Sequence, residues 1–276
     1  MAEKRKMKFD LVSYLNDAPF FVIAGPCVLE SLQESLFIGS SVKEICGRLS
    51  LPAFFKGSFD KANRTSLSSF RGVGLEKGLE ILKKVGEETK LPLLTDIHLP
   101  MQAKPASEIC QILQIPAFLS RQTDLICSAA ESRAVVNIKK GQFLSPWETK
   151  SAVEKVRGTN REALVILTER GTSFGYGNLV VDMRGFKIMK EWADFVVFDA
   201  THSLQLPGAG EGCTLGQREF IPHLARSAMA SGCVDGVFFE VHPEPERSPS
   251  DSGNILNLNE LEGILRQLIS IKAAIK

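Results

Sequence analysis

The sequence predicts a (β/α)8 (TIM) barrel that forms a single domain. Three observations lead to this prediction: eight short apolar segments, amphipathic helical patterns between most of them, and a length of 276 residues. Strands that alternate with helices favour a parallel sheet, and continuous apolar runs indicate strands covered on both faces. Barrels of this class commonly have this length. A doubly wound open sheet would produce the same pattern and stays open as the alternative.

The predicted strands are rich in aromatic and β-branched residues, which favour extended structure. In chain order they cover residues 20–24, 52–55, 91–94, 112–116, 135–138, 163–167, 195–198 and 236–239. Residues before the first strand, about 1–19, are interpreted as an N-terminal extension of a domain that covers 1–276. Because no low-complexity tract or linker divides the chain, we expect no second domain.

Helical patterns separate most of these strands. Leu75, Leu79, Leu82 and Val85, for example, recur at the spacing that places them on one face of a helix. On the same grounds we predict helices near residues 31–49, 74–89, 149–158, 221–230 and 259–276, a short helix from about residue 101, and another that begins near residue 125.

Composition and charge exclude several classes of partner. The formal net charge of +1 provides no general attraction for nucleic acid or an anionic membrane. No apolar run reaches about 18 residues, and Asn16, Asp17 and Pro19 interrupt the only apolar stretch near the start. The six cysteines form no C-x-x-C pair and are widely spaced, which suits a reducing compartment. We therefore expect a cytoplasmic protein without nucleic-acid or membrane partners.

Ionisable side chains follow most of the predicted strands. In a barrel of this class the functional site lies at the carboxyl ends of the strands. There the chain has Cys27, Lys56, Asp96, Lys139, Arg170, His202 and Glu240. Loops that simply begin with polar residues account for part of this set, but its chemical variety indicates a functional site.

The segment that follows the second strand is strongly cationic. Lys56, Lys61 and Arg64 lie within nine residues of one another, and Lys139 and Arg170 would join them in a barrel. Lysine offers a point charge and arginine a bidentate contact to phosphate or carboxylate. Such a pocket fits a small substrate with several negative charges and would stabilise negative charge that develops during a reaction. Neither common glycine-rich nucleotide-binding loop is present.

A second group of residues has the chemistry of a metal site. Cys27, His202, Glu240 and Asp251 would combine thiolate, imidazole and carboxylate ligands, a set that suits Zn²⁺, Fe²⁺ or Mn²⁺. These residues are far apart in the sequence, so their spacing alone does not establish a site. A histidine at a strand end can equally serve as a hydrogen-bonding residue.

Four segments together resemble one enzyme family. They are Ile-Ala-Gly-Pro-Cys-Val-Leu-Glu-Ser at 23–31, Lys-Gly-Ser-Phe-Asp-Lys-Ala-Asn-Arg-Thr-Ser at 56–66, Asp-Ala-Thr-His-Ser-Leu-Gln at 199–205 and Phe-Glu-Val-His-Pro at 239–243. The chain is similar to the 3-deoxy-D-manno-octulosonate-8-phosphate synthases from about residue 20 to 258. The Lys-Ala-Asn-Arg-Thr-Ser part is the most specific, because the sister family of 3-deoxy-D-arabino-heptulosonate 7-phosphate synthases has Lys-Pro-Arg-Thr-Ser there.

The resemblance implies a (β/α)8 barrel and an aldol-type transferase that forms a carbon–carbon bond. Its reaction joins phosphoenolpyruvate, D-arabinose 5-phosphate and water into 3-deoxy-D-manno-octulosonate 8-phosphate and phosphate, for lipopolysaccharide (KDO) biosynthesis. It also implies a homo-oligomer, most simply a tetramer. The alternatives are the sister heptulosonate synthase and a non-catalytic barrel that binds sugar phosphates.

The resemblance also implies roles for individual residues. The expected phosphoenolpyruvate contacts are Lys56, Ser58, Lys61, Lys139 and Arg170. The expected contacts to arabinose 5-phosphate are Asn63, Arg64 on the phosphate, Ser66, and Asp96 on the sugar hydroxyls. Gln205 is expected to bind substrate, and Arg121 to reach the site of a neighbouring subunit. The expected catalytic residues are His202, Lys139 and Lys61.

The family contains metal-dependent and metal-independent members. The first strand ends in Gly-Pro-Cys in the dependent type and has asparagine at the cysteine position in the other. Cys27 therefore implies a divalent ion (Zn, Fe or Mn) bound by Cys27, His202, Glu240 and Asp251. Asp251 departs from the family pattern, because Ser252 stands where the family usually has glycine. The ion would orient water or polarise the aldehyde, and His202 could also transfer a proton.

Overall fold

Eight parallel strands close into one barrel in the computed structural model, which describes residues 9–64, 66–206 and 215–275. The strands are β1 (Phe21–Gly25), β2 (Ala53–Lys56), β3 (Leu93–Asp96), β4 (Ile112–Ile115), β5 (Val135–Lys139), β6 (Val165–Glu169), β7 (Phe195–Asp199) and β8 (Gly236–His242). Each strand pairs with the next, and β8 pairs with β1 from Gly236 opposite Phe21 to Glu240 opposite Gly25. This closure confirms the barrel and shows that the open-sheet alternative is wrong.

Most of the helices lie between consecutive barrel strands in sequence, with α1 before β1 and α9 after β8. They are α1 (Leu11–Leu15), α2 (Leu32–Arg48), α3 (Leu75–Thr89), α4 (Ala103–Ile109), α5 (Thr123–Glu131), α6 (Thr149–Thr159), α7 (Arg184–Met189), α8 (Ile221–Ala230) and α9 (Leu261–Ala274). Helix α7 is absent from the sequence prediction, because six residues are too few for apolar periodicity to show. Its Phe186 and Met189 are nevertheless buried. Among the described residues, no helix is long and apolar enough to cross a membrane.

Shorter elements complete the architecture. Single 3₁₀ turns occur at Pro100–Gln102, Ala117–Leu119, Pro146–Glu148, His202–Leu204, Arg218–Phe220, Pro245–Arg247 and Leu258–Glu260. Two-residue strands pair at Thr172–Ser173 with Leu179–Val180, at Gln205–Leu206 with Leu215–Gly216, and at Leu256–Asn257 with the end of β8. The first two pairings are antiparallel, and both lie in the loops that follow β6 and β7.

The barrel interior has an apolar layer toward the amino ends of its strands. Side chains of a strand alternate between its two faces, so one inward residue or two come from each strand. The inward cluster contains Phe21, Ile23, Phe54, Leu94, Ile112, Val135, Ile166, Val197 and Phe238. The opposite faces of the strands pack against the helices in a second, larger apolar cluster.

Helix α1 lies against this inward layer. Leu11 is fully buried there, and Tyr14 donates a hydrogen bond of 2.7 Å to the carbonyl of Ala53. The rings of Phe9 and Tyr14 meet the ring of Phe54 edge-on. The described part of the predicted N-terminal extension therefore contributes to the core of the barrel.

Candidate active site

The inward face of the barrel is polar toward the carboxyl ends of its strands. In β2 to β8 the first polar inward residue comes two residues after the inward apolar residue of the same strand. After the apolar layer, strands β2 to β8 place Lys56, Asp96, Gln114, Asn137, Thr168, Asp199 and Glu240 at the next inward positions, and all seven are buried. Thr168 donates to Asn137 at 2.7 Å, and Asn137 donates to Gln114 at 3.1 Å. These hydrogen bonds satisfy the neutral polar side chains of β4, β5 and β6. The charged residues of the layer come from the strands on either side, β2 and β3 on one side and β7 and β8 on the other.

A cavity of about 290 Å³ opens above this polar layer. Most of the predicted site residues line it, namely Lys56, Ser58, Lys61, Asn63, Arg64, Asp96, Lys139, Arg170, His202, Gln205, Glu240 and Asp251. Cys27 does not line the cavity but contacts Asp251, at 3.3 Å between its Sγ and Oδ2. Ser66 and Arg121 do not line it either: Ser66 Oγ lies 2.9 Å from Ser68 Oγ, and Arg121 is exposed.

Glu240 is the anionic centre of the cavity. Its Oε1 accepts from Lys56 Nζ at 2.8 Å and lies 3.4 Å from Lys61 Nζ, and its Oε2 lies 3.2 Å from His202 Nε2. Burial alone would raise the pKa of Glu240, but His202, Lys56 and Lys61 hold it well below its ordinary value. Burial alone would lower the pKa of Lys61, but the neighbouring carboxylates of Glu240, Asp96 and Asp251 hold it well above its ordinary value.

Asp199 joins Lys139 to His202. Its Oδ2 lies 2.6 Å from Lys139 Nζ and 2.6 Å from His202 Nδ1, while its Oδ1 accepts from the backbone N–H groups of Thr201 and His202. Although burial opposes ionisation, His202 and Lys139 keep the pKa of Asp199 far below its ordinary value. Burial lowers the pKa of Lys139, whose Nζ also lies 4.1 Å from the centre of the Phe238 ring.

Two arginines have nitrogens that no group satisfies among the described residues. Arg170 donates to Gln205 through one terminal nitrogen, and its other terminal nitrogen is buried without a partner. Arg64 donates to Ser250, and its Nε is buried without a partner. Burial lowers the pKa of Arg170. Buried N–H donors that lack acceptors are costly, so both arginines are prepared for an anionic ligand.

Asp96 ends β3, the strand next to β2, whose following loop contains Arg64. It accepts a hydrogen bond from Ser58 Oγ, and its Oδ2 lies 3.1 Å from His98 Nε2. Burial would raise the pKa of Asp96, but the hydrogen bond from His98 and the charge of Lys56 hold it far below its ordinary value. Since His98 donates from Nε2, its unpartnered, buried Nδ1 is an acceptor beside the cavity.

The donor set at one end of the cavity fits a divalent metal. Ligand atoms of Cys27, Glu240 and Asp251 lie within 4.8 Å of one another, and His202 contacts Glu240 at their edge. Because the carboxylate of Asp199 can only accept, His202 donates to it from Nδ1, as metal-ligating histidines do to their partners. The other ring nitrogen, Nε2, faces Glu240 Oε2 at 3.2 Å and would bind an ion only without a proton on it. Burial, followed by Glu240, raises the pKa of the Cys27 thiol, so metal binding there would release a proton.

A second group of possible ligands lies outside the cavity and does not fit a metal. His242 Nε2 is 2.7 Å from Glu34 Oε1 and 3.8 Å from Glu30 Oε1. His242 Nδ1, however, accepts a hydrogen bond of 2.9 Å from the backbone N–H of Glu244. The neutral ring must therefore carry its proton on Nε2, which leaves no lone pair for an ion between the two carboxylates.

Comparison with known proteins identifies the family. Residues 7–276 match the model of the DAHP synthetase I family.

The chain belongs to the DAHP synthetase I family.

Several curated relatives of this chain have the same name. The 2-dehydro-3-deoxyphosphooctonate aldolase of Geotalea daltonii is 51% identical over 95% of both chains, and that of Desulfatibacillum aliphaticivorans is 53% identical over 93% of both. The enzyme of the same name from Geobacter metallireducens is 51% identical over 99% of both chains. That name is another name for 3-deoxy-D-manno-octulosonate-8-phosphate synthase. The resemblance that the sequence motifs indicate is therefore confirmed.

Sequence reasoning missed four polar residues of the site. Asp199 stands within the Asp-Ala-Thr-His-Ser-Leu-Gln motif, but the sequence patterns assign no role to it or to His98, Gln114 and Gln142, although these three line the cavity. The signal for Asp199 and Gln114 was available, because both stand two residues beyond an inward apolar residue of a strand. His98 and Gln142 lie in loops, where no periodicity indicates direction.

Proposed function

We propose that this protein condenses phosphoenolpyruvate with D-arabinose 5-phosphate and water to give 3-deoxy-D-manno-octulosonate 8-phosphate and phosphate. The observation that carries the proposal is the convergence of five cationic side chains on one cavity: Lys56, Lys61, Arg64, Lys139 and Arg170. The two substrates together bring two phosphates and a carboxylate. The names of the relatives at 47–53% identity support this reaction over the sister heptulosonate synthesis.

Phosphoenolpyruvate would bind where the cations of β2, β5 and β6 meet. Lys61, Lys139 and Arg170 can pair with its phosphate and carboxylate, and Ser58 and Lys56 stand beside them. Lys56 is held by the carbonyl of Cys27 and by Glu240, so it contributes its charge from a fixed position. In a site closed to water these charges are stronger than in solution and need no rearrangement during the reaction.

Arabinose 5-phosphate would bind toward the loop that follows β2. Arg64, with its free Nε donor, suits the phosphate, and Asn63 and Ser66 come from the same loop. The ionised carboxylate of Asp96 and the free Nδ1 of His98 are acceptors for sugar hydroxyls. This placement points the aldehyde end of the sugar toward Lys139 and Glu240.

The reaction joins C3 of the enol to the aldehyde carbon of the sugar. As C3 attacks, positive charge develops at C2 and water adds there with loss of a proton, while the alkoxide formed from the aldehyde gains a proton. The C2–O bond to the phosphate then breaks, which leaves the C2 ketone and releases phosphate. His202 Nε2 and Glu240 Oε2 lie 3.2 Å apart, so without an ion between them they could together hold the proton that the attacking water releases. Lys139 and Arg170 stabilise the departing phosphate and the new alkoxide.

A divalent metal ion belongs to this proposal. Cys27, His202, Glu240 and Asp251 would hold it, and when bound it would supply Lewis-acid polarisation or orientation of water. The geometry of the donor set supports the site, because Cys27, Glu240 and Asp251 lie together and Asp199 orients the His202 ring through Nδ1.

A homotetramer in the cytoplasm also belongs to the proposal. Phe118, Phe143 and Trp147 follow the neighbouring strands β4 and β5 and are 56%, 53% and 57% exposed. Large exposed apolar side chains of this kind are typical of interfaces. Arg121, which is exposed in the same region, would enter the site of a neighbouring subunit. The described cysteines Cys27, Cys46, Cys110, Cys127 and Cys233 are free thiols, which supports a reducing compartment.

The test is turnover measured as loss of the ultraviolet absorbance of the enol. Arabinose 5-phosphate should support turnover, and erythrose 4-phosphate should be a much poorer acceptor. A preference for erythrose 4-phosphate would favour the sister reaction. Thermal stabilisation by both substrates without any turnover would favour a non-catalytic barrel.

A further inference from the structure

Two adjacent lysines leave the end of β5 in different directions. Lys139 lines the cavity, whereas Lys140 is buried, with 1% of its surface exposed, and does not line it. A fully buried lysine is costly unless its charge and its three N–H donors are satisfied. The proposed reaction assigns Lys140 no role, so its contacts indicate what it does.

Lys140 Nζ contacts the last residue of β6 and the loops that follow β5 and β6. Nζ donates to Thr172 Oγ1 at 2.8 Å, to the carbonyl of Leu144 at 3.0 Å and to the carbonyl of Gly171 at 3.2 Å. It also lies 3.3 Å from Glu169 Oε1. Burial lowers the pKa of Lys140, and the charge of Glu169 opposes this. The lysine therefore holds residues on both sides of Arg170.

Glu169 fixes the backbone of Arg170 directly. Its Oε1, the same atom that faces Lys140, accepts from the N–H of Arg170 at 3.0 Å and from the N–H of Gly171 at 2.7 Å. Gly171 has a φ of +90°, a left-handed conformation that allows the chain to turn at this point. The carboxylate thus holds the two peptide groups that flank the Cα of Arg170.

We propose that Lys140 is a positioning residue, which aims the guanidinium of Arg170 at the phosphoenolpyruvate by holding Glu169, Gly171 and Thr172. The inference rests on the proposed function, because that function gives Arg170 its ligand. The free terminal nitrogen of Arg170 is the donor whose direction this network sets. Lys140 itself touches neither the cavity nor a reacting atom.

Direct binding of phosphoenolpyruvate, measured by calorimetry on the full chain, tests the proposal without turnover. Lys140→Met keeps the length of the side chain and removes its charge. It should raise the Kd for phosphoenolpyruvate at least tenfold and change the KM for arabinose 5-phosphate less than twofold. Lys150→Met removes an exposed lysine of α6 and is the matched control, which should leave both values unchanged.

A double-mutant cycle distinguishes positioning from general loosening of the fold. If Lys140 acts through Arg170, Lys140→Met should raise the Kd less than threefold in an Arg170→Lys background. A full tenfold effect in that background would overturn the proposal, as would a Kd for Lys140→Met equal to that of the wild type.

A milder variant covers the case in which Lys140→Met does not fold. Thr172→Val removes one acceptor of Lys140 from a half-buried position and should raise the Kd for phosphoenolpyruvate about threefold, with recovery in Thr172→Ser. No change in Thr172→Val would then overturn the inference. A wild-type protein that fails to bind phosphoenolpyruvate would overturn the proposed function and this inference together, whereas normal binding with unaffected variants overturns only the inference.

Discussion

At the scale of single residues, the site is organised by buried carboxylates that each serve more than one cation. Glu240 serves Lys56, Lys61 and His202, and Asp199 serves Lys139 and His202. Such sharing lets a cavity of about 290 Å³ contain many charges without leaving any of these groups unpaired. It also means that removal of one carboxylate affects several partners at once.

Asp199→Asn tests the control of the His202 ring. The amide nitrogen would donate to Nδ1 and move the ring proton to Nε2, and Lys139 would lose its closest anion. We expect kcat to fall about 10- to 100-fold in steady-state kinetics, as when other hydrogen-bond partners of metal-ligating histidines are removed. Asp182→Asn is the matched control, because the Asp182 carboxylate is partly exposed, pairs with Arg184 and does not line the cavity. Near-normal kcat in Asp199→Asn would contradict the assigned role.

The same carboxylates predict how stability depends on pH. The pKa values of Glu240 and Asp199 are lower in the folded protein than their unfolded values of about 4.3 and 3.9. The folded state therefore binds fewer protons, so their contribution is complete above about pH 5 and is lost as pH falls toward the folded pKa values. Urea unfolding between pH 7 and 3 should show this loss, and a smaller loss in Glu240→Gln. A free energy of unfolding that rises on acidification would contradict it.

Cys27→Asn tests whether Cys27 is a ligand of a divalent metal. Asparagine is the residue that metal-independent relatives of the resembled family have at this position, and it removes the thiolate donor next to Asp251. We expect the variant to retain less than a tenth of the bound divalent metal of the wild type by elemental analysis, and to keep turnover in the presence of a chelator. Cys46→Ala, at a buried cysteine outside the cavity, should leave metal content unchanged. Equal metal content in Cys27→Asn and wild type would contradict the ligand set.

At the scale of elements, the alternation of each strand divides one barrel into a core and a site. A strand such as β2 places Phe54 in the apolar layer and Lys56 two residues later in the cavity floor. Its outward residues Ala53 and Phe55 pack against the helices. One strand therefore contributes an apolar residue to the core and a charged residue to the cavity from consecutive inward positions. A one-residue shift of register would turn both side chains outward, toward the helices.

Phe54→Ala tests the apolar layer. Phe54 is fully buried and meets the rings of Phe9, Tyr14 and Phe21. Its truncation should lower the free energy of unfolding by about 3–5 kcal/mol, measured by urea denaturation. Phe37→Ala on the outer surface of α2, where the ring is 56% exposed, should cost less than about 1 kcal/mol. Equal costs would mean that the inward layer does not carry the stability assigned to it.

At the scale of the whole molecule, the sequence predicted the barrel well because each strand is a largely apolar run, and six of the eight end at a charged residue or a histidine. All eight predicted strands are present within a few residues of their predicted bounds. Closure of β8 onto β1 could not be read from the sequence, since local patterns do not specify which strand ends meet. Helix α7 was missed because it is only six residues long.

The candidate site was predictable to the extent that it depends on strand ends. Lys56, Asp96, Lys139 and Glu240 meet in the cavity because parallel strands deliver their carboxyl ends to one face. The link through Asp199 and the acceptor on His98 depend on side-chain directions that only the closed barrel sets. Ser66 and Arg121 lie outside the cavity of this single chain, and their substrate contacts stay predictions.

The most direct test of the central claim follows the bridging oxygen of phosphoenolpyruvate. The protein is mixed with arabinose 5-phosphate and phosphoenolpyruvate that carries ¹⁸O between C2 and phosphorus, and the products are analysed by mass spectrometry. The proposed function predicts equal amounts of an eight-carbon sugar acid phosphate and of phosphate that retains the ¹⁸O. Absence of the eight-carbon product, or ¹⁸O found on its C2, would contradict it.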